Sequence, residues 1–196
     1  MPKTSRIKNV LIIAGAVVGA LGVIVAVAVN FKKTLPLTET DYRVLTTARD
    51  LAPWLDGFTP QKKNESASKV RYLDRSVDLE YTYEDDEIYL CTMVSRETNA
   101  ANALMTFNAQ WAGSKLSINL NEDCHLSETG GGFSFGDSSH FATLVCNGEP
   151  GGIVFSTRVN NNVYMLTLGG VYFDNVADFQ KFVGPALSHL SSWPQQ

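Results

Sequence analysis

Charge is scarce in this chain, and cysteine scarcer still. Only 18% of residues are charged, with 16 basic against 20 acidic for a net charge of −4. A nucleic-acid binder needs a basic face to collect phosphates, and that balance excludes one. The three cysteines, Cys91, Cys124 and Cys146, form no C-x-x-C pair. None stands at zinc-finger spacing from His125, His140 or His189, so no metal site is expected. No phosphate-binding loop is present either: the glycine run at 130–136 lacks the Lys and the Ser/Thr that hold phosphate and magnesium. The pattern implies no cofactor.

Catalytic arrangements are missing for similar reasons. Gly136-Asp137-Ser138 with His189 has the look of a lipase nucleophile block, but the Asp-x-x-His partner of that chemistry is absent. Cys124-His125 places two adjacent side chains that rarely face each other. The acidic residues between Arg71 and Glu87 fall at strand positions expected to face water, and the Glu84-Asp85-Asp86-Glu87 cluster lacks the ordered spacing of a calcium loop. The chain is therefore not expected to be an enzyme.

What the sequence does have is one long apolar run. Val10 to Val29 carries no charge over about twenty residues. As a helix rising roughly 1.5 Å per residue, such a run covers the ~30 Å hydrocarbon core of a bilayer. Lys3, Arg6 and Lys8 precede it and Lys32 and Lys33 follow. That balance favours a cytoplasmic N-terminus and an extracytoplasmic body, periplasmic in a bacterium. The competing reading is a cleaved leader, since Ala26-Val27-Ala28 fits a small-x-small cleavage pattern. Residues 1–9 are read as a cytoplasmic tail, 10–30 as the anchor, 31–37 as a juxtamembrane linker and 38–192 as one extracytoplasmic domain. Inside the anchor, Gly15, Gly19, Gly22 and Ala26 make a stripe of small residues suited to close helix packing, with a membrane-protein partner or a second copy.

Beyond the anchor the periodicities give an α+β domain. A helix is expected from Thr38 to Ala52 and a hairpin from Val77 to Val94. A second helix is expected over Glu97–Ala112, stopped by Gly113, with Leu116–Leu120 as a short strand. His140–Cys146, Ile153–Val159 and Val163–Leu168 read as a meander turned by Asn147-Gly148 and Asn160-Asn161-Asn162. A final helix is capped by Asp174 or Asn175, kinks at Gly184-Pro185 and frays after Ser191. The expectation is an antiparallel or mixed sheet of 5–6 strands packed by about three helices. That element order resembles the α/β/α sandwich of the PsbP type, and the resemblance implies a binding or assembly role.

Two further expectations concern sites. Outside the cytoplasm, Cys124 and Cys146 make the best disulfide pair, closing a glycine-rich loop, while Cys91 reads as a buried free thiol. Phe133, Phe135, Tyr164 and Tyr172 are candidates for a ligand or partner surface. The function expected is a membrane-anchored, non-catalytic domain for protein interaction or assembly in the cell envelope. The alternative is a ligand-binding or sensory domain with the 130–136 segment as its lid.

Overall fold

Eight strands build one sheet in which every neighbouring pair is antiparallel. The computed structural model describes residues 3–4, 32–120, 123–128 and 132–193. The proposed anchor and its stripe of Gly15, Gly19, Gly22 and Ala26 lie outside them. The strands are β2 (Lys32–Leu35), β3 (Glu65–Tyr72), β4 (Val77–Glu84), β5 (Tyr89–Arg96), β6 (Cys124–Ser127), β7 (Ser138–Cys146), β8 (Glu149–Val159) and β9 (Asn162–Gly169). Their order is β2-β3-β4-β5-β9-β8-β7-β6, two meanders joined through the central β5–β9 pair. Two short strands, β1 (Lys3–Thr4) and β10 (Val171–Tyr172), pair separately. The sheet thus exceeds the 5–6 strands expected and contains no parallel pair. The additional strands are the edges β2 and β6, only four residues long each, and β3, whose Glu65–Lys69 half lacks the alternating apolar pattern that marks a half-buried strand.

Helices cover both faces. The helix α3 (Ala100–Asn119) packs Trp111 and Ile118 against Ala142, Leu144, Val154 and Met165. The imidazole of His140 stacks between the rings of Phe107 and Trp111. On the opposite face, α4 (Val176–Leu190) and the 44–55 segment bury Phe155, Leu166, Leu79 and Leu90. Strand alternation carries this division: Ile153 and Phe155 face α4, and Val154 between them faces α3.

Several local expectations change. The helix expected over 38–52 is two single turns, α1 (Glu39–Tyr42) and α2 (Ala48–Leu51). The cause is chemical: Thr38 with Asp41 and Thr47 with Asp50 each form a capping box, so a second N-terminus is written where a continuous helix was read. Instead of stopping at Gly113, α3 runs through it to Asn119, so the strand expected at Leu116–Leu120 is the end of this helix. A mid-helix glycine costs only about 1 kcal/mol. Burial of Trp111, Ser114, Ser117 and Ile118 against the sheet outweighs that cost.

The last helix passes Pro185 uninterrupted, helped by Gly184, which lacks the Cβ that would crowd the proline ring. Ser191–Trp193 is not frayed, for Trp193 is buried and its indole N–H donates to Asp41 at 3.2 Å. The expected linker residues Lys32–Leu35 are the edge strand itself.

Candidate functional site

The two capping boxes leave a break at Arg43–Thr47, and strand hydroxyls fill it. Thr46 Oγ1 lies 2.6 Å from Tyr164 Oη, Thr92 Oγ1 donates to the Thr46 carbonyl at 2.7 Å, and Ala48 N donates to Tyr81 Oη at 3.1 Å. The last two of these bonds satisfy the Thr46 carbonyl and the Ala48 N–H where helical bonding stops, and the first ties the Thr46 side chain to β9. Burial drives the Tyr81 and Tyr164 phenols well above their ordinary value, so both remain neutral hydroxyls at any physiological pH.

Beside this break, between α1–α2 and α4, opens a cleft of about 580 Å³. Its floor is Leu45, Thr46 and Tyr81, and one wall is Phe182, Pro185 and Ala186. Arg43, Arg49, Lys62 and His189 line it too, set against Asp50 and Glu65. Both hydrogen bonds from Thr47 to Asp50, at 2.7 and 2.8 Å, go to one carboxylate oxygen of the cap. Hydroxyls, guanidinium groups and an imidazole over an apolar wall suit a ligand with an acidic group.

Residues 132–136 of the glycine-rich segment lie elsewhere, and 130–131 fall outside the described residues. Phe133 is a core residue against Phe155 and Phe179, and Gly136 takes a positive φ of 71° against the Arg158 carbonyl. Thr157 Oγ1 donates to the carbonyls of Phe135 and Ser138 at 2.6 and 3.1 Å. Residues 132–136 are thereby tied to β7 and β8 and contribute nothing to the cleft. Of the four aromatics expected at a surface, Phe133 and Tyr164 are buried, whereas Phe135 and Tyr172 are half-exposed and pack on the core. The exposed large apolar side chains among the described residues are others: Tyr42, Leu73 and Val176, with Leu104, Met105 and Leu116 on α3 and Leu120 at its C-cap. Helical spacing groups Ala100, Leu104, Phe107 and Trp111 on one face, but only Phe107 and Trp111 are buried, while Ala100 and Leu104 are exposed.

The cysteines stand as expected. Cys124 and Cys146 are register partners in β6–β7 and are joined by a disulfide across 22 residues, so neither is a free nucleophile. Cys91 is buried and free, its thiol pushed up to about 12 by that burial. Asp137 pairs with Arg158 at 3.1 Å and accepts the Asn160 N–H at 2.8 Å, which makes it a turn-builder in the block compared above with a nucleophile motif.

Acidic residues of the first hairpin do more than face water. Asp85 closes the β4–β5 turn, accepting from the Glu87 and Ile88 N–H groups and the Tyr83 hydroxyl. Asp78 and Glu80 are half-buried, and that burial raises both carboxyls despite the 2.8 Å bond from Tyr72 Oη to Asp78. Among the described residues no group of three or more His, Cys, Asp or Glu is placed to hold a metal ion, and no helix is long and apolar enough to cross a membrane. No family model, curated protein or solved structure matches this chain.

Proposed function

We propose that this is a single-pass membrane-anchored protein whose extracytoplasmic domain binds another protein in the cell envelope, as an accessory or assembly subunit without catalysis of its own. The observation that carries this reading is the charge-free run Val10–Val29, which ends three residues ahead of edge strand β2. The Cys124–Cys146 disulfide supports an oxidising compartment for the domain. The stripe of Gly15, Gly19, Gly22 and Ala26 supplies a packing face for a membrane partner or a second copy.

The pairing of Lys3–Thr4 with Val171–Tyr172 belongs to the alternative in which the N-terminus stays on the domain's side. Two residues of ladder contribute about 1 kcal/mol per backbone bond. Removing about twenty apolar residues from water is worth far more, at roughly 0.8 kcal/mol per buried methylene. In the membrane the pairing therefore gives way to the anchor.

Purification of the tagged full-length protein from its native membrane in mild detergent, with mass spectrometry of what is retained, tests the assembly role. A stoichiometric membrane partner is expected. Recovery of the protein alone contradicts it and favours the second reading, a small-ligand domain. That reading draws on the 580 Å³ cleft with Arg43, Arg49 and Lys62 along it, in place of a lid at 130–136.

A further inference from the structure

The end of the sheet that meets the membrane is fixed by connectivity once the anchored reading above is granted, and this inference rests on that reading. Between Val29 and Lys32 lie only Asn30 and Phe31. Three Cα steps reach at most about 11 Å. A headgroup layer is roughly 5–8 Å deep on each side of the hydrocarbon core. The first residue of β2 therefore sits in or just above the headgroups, and whatever shares its level in the sheet sits there too.

The register names those neighbours. Lys33 lies opposite Arg71, Arg71 opposite Val77, Val77 opposite Arg96 and Arg96 opposite Asn162, one line across five strands. Lys32 lies opposite Tyr72, so the β3–β4 turn projects one step further toward the bilayer. At its tip Leu73 is 73% exposed, the second most exposed large apolar side chain in the described residues. Arg75 beside it holds a left-handed φ of 72°, closing the turn through a 3.0 Å bond from its N–H to the Tyr72 carbonyl.

Charge at this corner is divided. Lys32, Lys33 and Arg75 are exposed, Arg71 is half-buried, and no ion pair between any of them and a described residue holds them. The acids nearby are occupied: Asp74 accepts from the Ser76 N–H and hydroxyl, and Asp78 accepts from Tyr72.

We propose that the turn Tyr72–Ser76 is a membrane-contact element. Leu73 enters the bilayer interface, and Lys32, Lys33, Arg71 and Arg75 meet anionic lipid headgroups. An exposed leucine flanked by arginines is an unfavourable tip in water and a favourable one at an interface, where the apolar side chain and the cations each find their own layer. With one edge of the domain held by β2 and this turn, the domain has a fixed orientation. The β4–β5 turn at Asp85–Glu87 is then carried to the far side, about 25–30 Å from the bilayer at 3.3 Å per strand residue.

The test uses the full chain in vesicles. Single cysteines are placed at Leu73→Cys and, as the distal control, Asp86→Cys, each with Cys91→Ser, and labelled with an environment-sensitive fluorophore. The vesicles are phosphatidylcholine containing phosphatidylglycerol, with or without brominated acyl chains. Quenching by brominated lipid several-fold greater at position 73 than at 86 is expected, together with at least a twofold loss of it when the phosphatidylglycerol is omitted. Equal quenching at the two positions, in protein that stays in the vesicles after alkaline carbonate, overturns the contact and leaves the anchor intact. Release of the chain by carbonate overturns the anchored reading and this inference together. Strong quenching at 73 that does not depend on phosphatidylglycerol overturns the role given to the four cations.

Discussion

Asp41 is almost wholly out of water, and every bond its carboxylate makes crosses between parts of the chain that are distant in sequence or closes its own helix cap. Lys69 Nζ lies 2.9 and 3.1 Å from its two oxygens, Trp193 donates from the C-terminal segment, and the Thr38 N–H and hydroxyl donate at 2.8 Å each. Burial alone would raise this carboxyl; the bonds from Lys69 and Thr38 outweigh it and hold it below its ordinary value of 3.8. Replacing one member of a buried pair strands the other, so Asp41→Asn is expected to cost about 3–5 kcal/mol in urea unfolding.

The sign of the pH dependence follows. A lowered carboxyl contributes stability above its unfolded value, and that contribution is lost as pH falls through the folded one. Asp78, Glu80 and Glu97 are raised, chiefly by burial, so they act the other way: their contribution is present at low pH and is lost as pH rises through their raised values. Urea midpoints measured on acidification should first rise and then fall below pH 3.8, with the final fall reduced in Asp41→Asn. Cys91, buried with its thiol raised, should resist alkylation at pH 8 until the domain unfolds.

At the scale of elements, short devices place the long ones. The disulfide holds the four-residue edge strand β6 to β7, and its reduction or Cys124→Ser is expected to lower stability by about 3 kcal/mol, measured by denaturant titration with and without reductant. Gly170, at φ 81°, lets the chain turn from β9 into β10 directly against the Glu87 carbonyl. A methyl there collides with that backbone, so Gly170→Ala should cost more than about 1 kcal/mol in the same titration. Strand β4 was legible in the sequence because Val77, Leu79, Tyr81 and Tyr83 alternate with polar residues, and so was α4 from Asn175 onward. The cysteine pair was legible because the other candidate, Cys91, lay in an apolar strand pattern. Strand β3 was not, because Glu65–Lys69 carries no apolar alternation and is held by its register with β4. The cleft was illegible for a related reason: it depends on a helix break produced by two capping boxes, and on hydroxyls of Thr46, Tyr81, Thr92 and Tyr164 drawn from four separate segments.

For the whole molecule, the proposed topology sets a two-faced, eight-stranded domain on the outside of a membrane, with the Lys32 end of its sheet toward the bilayer. The most direct measurement is labelling of single cysteines at Thr4→Cys and Asp86→Cys, each with Cys91→Ser, by a membrane-impermeant maleimide on intact spheroplasts and again after permeabilisation. The anchored topology predicts that position 86 reacts at once and position 4 only after permeabilisation, in a chain that keeps its first thirty residues. Immediate reaction at both positions, or a mature chain beginning near residue 29, would contradict it. The first of these results would favour the pairing of Lys3–Thr4 with Val171–Tyr172, and the second a released domain whose function lies in its cleft.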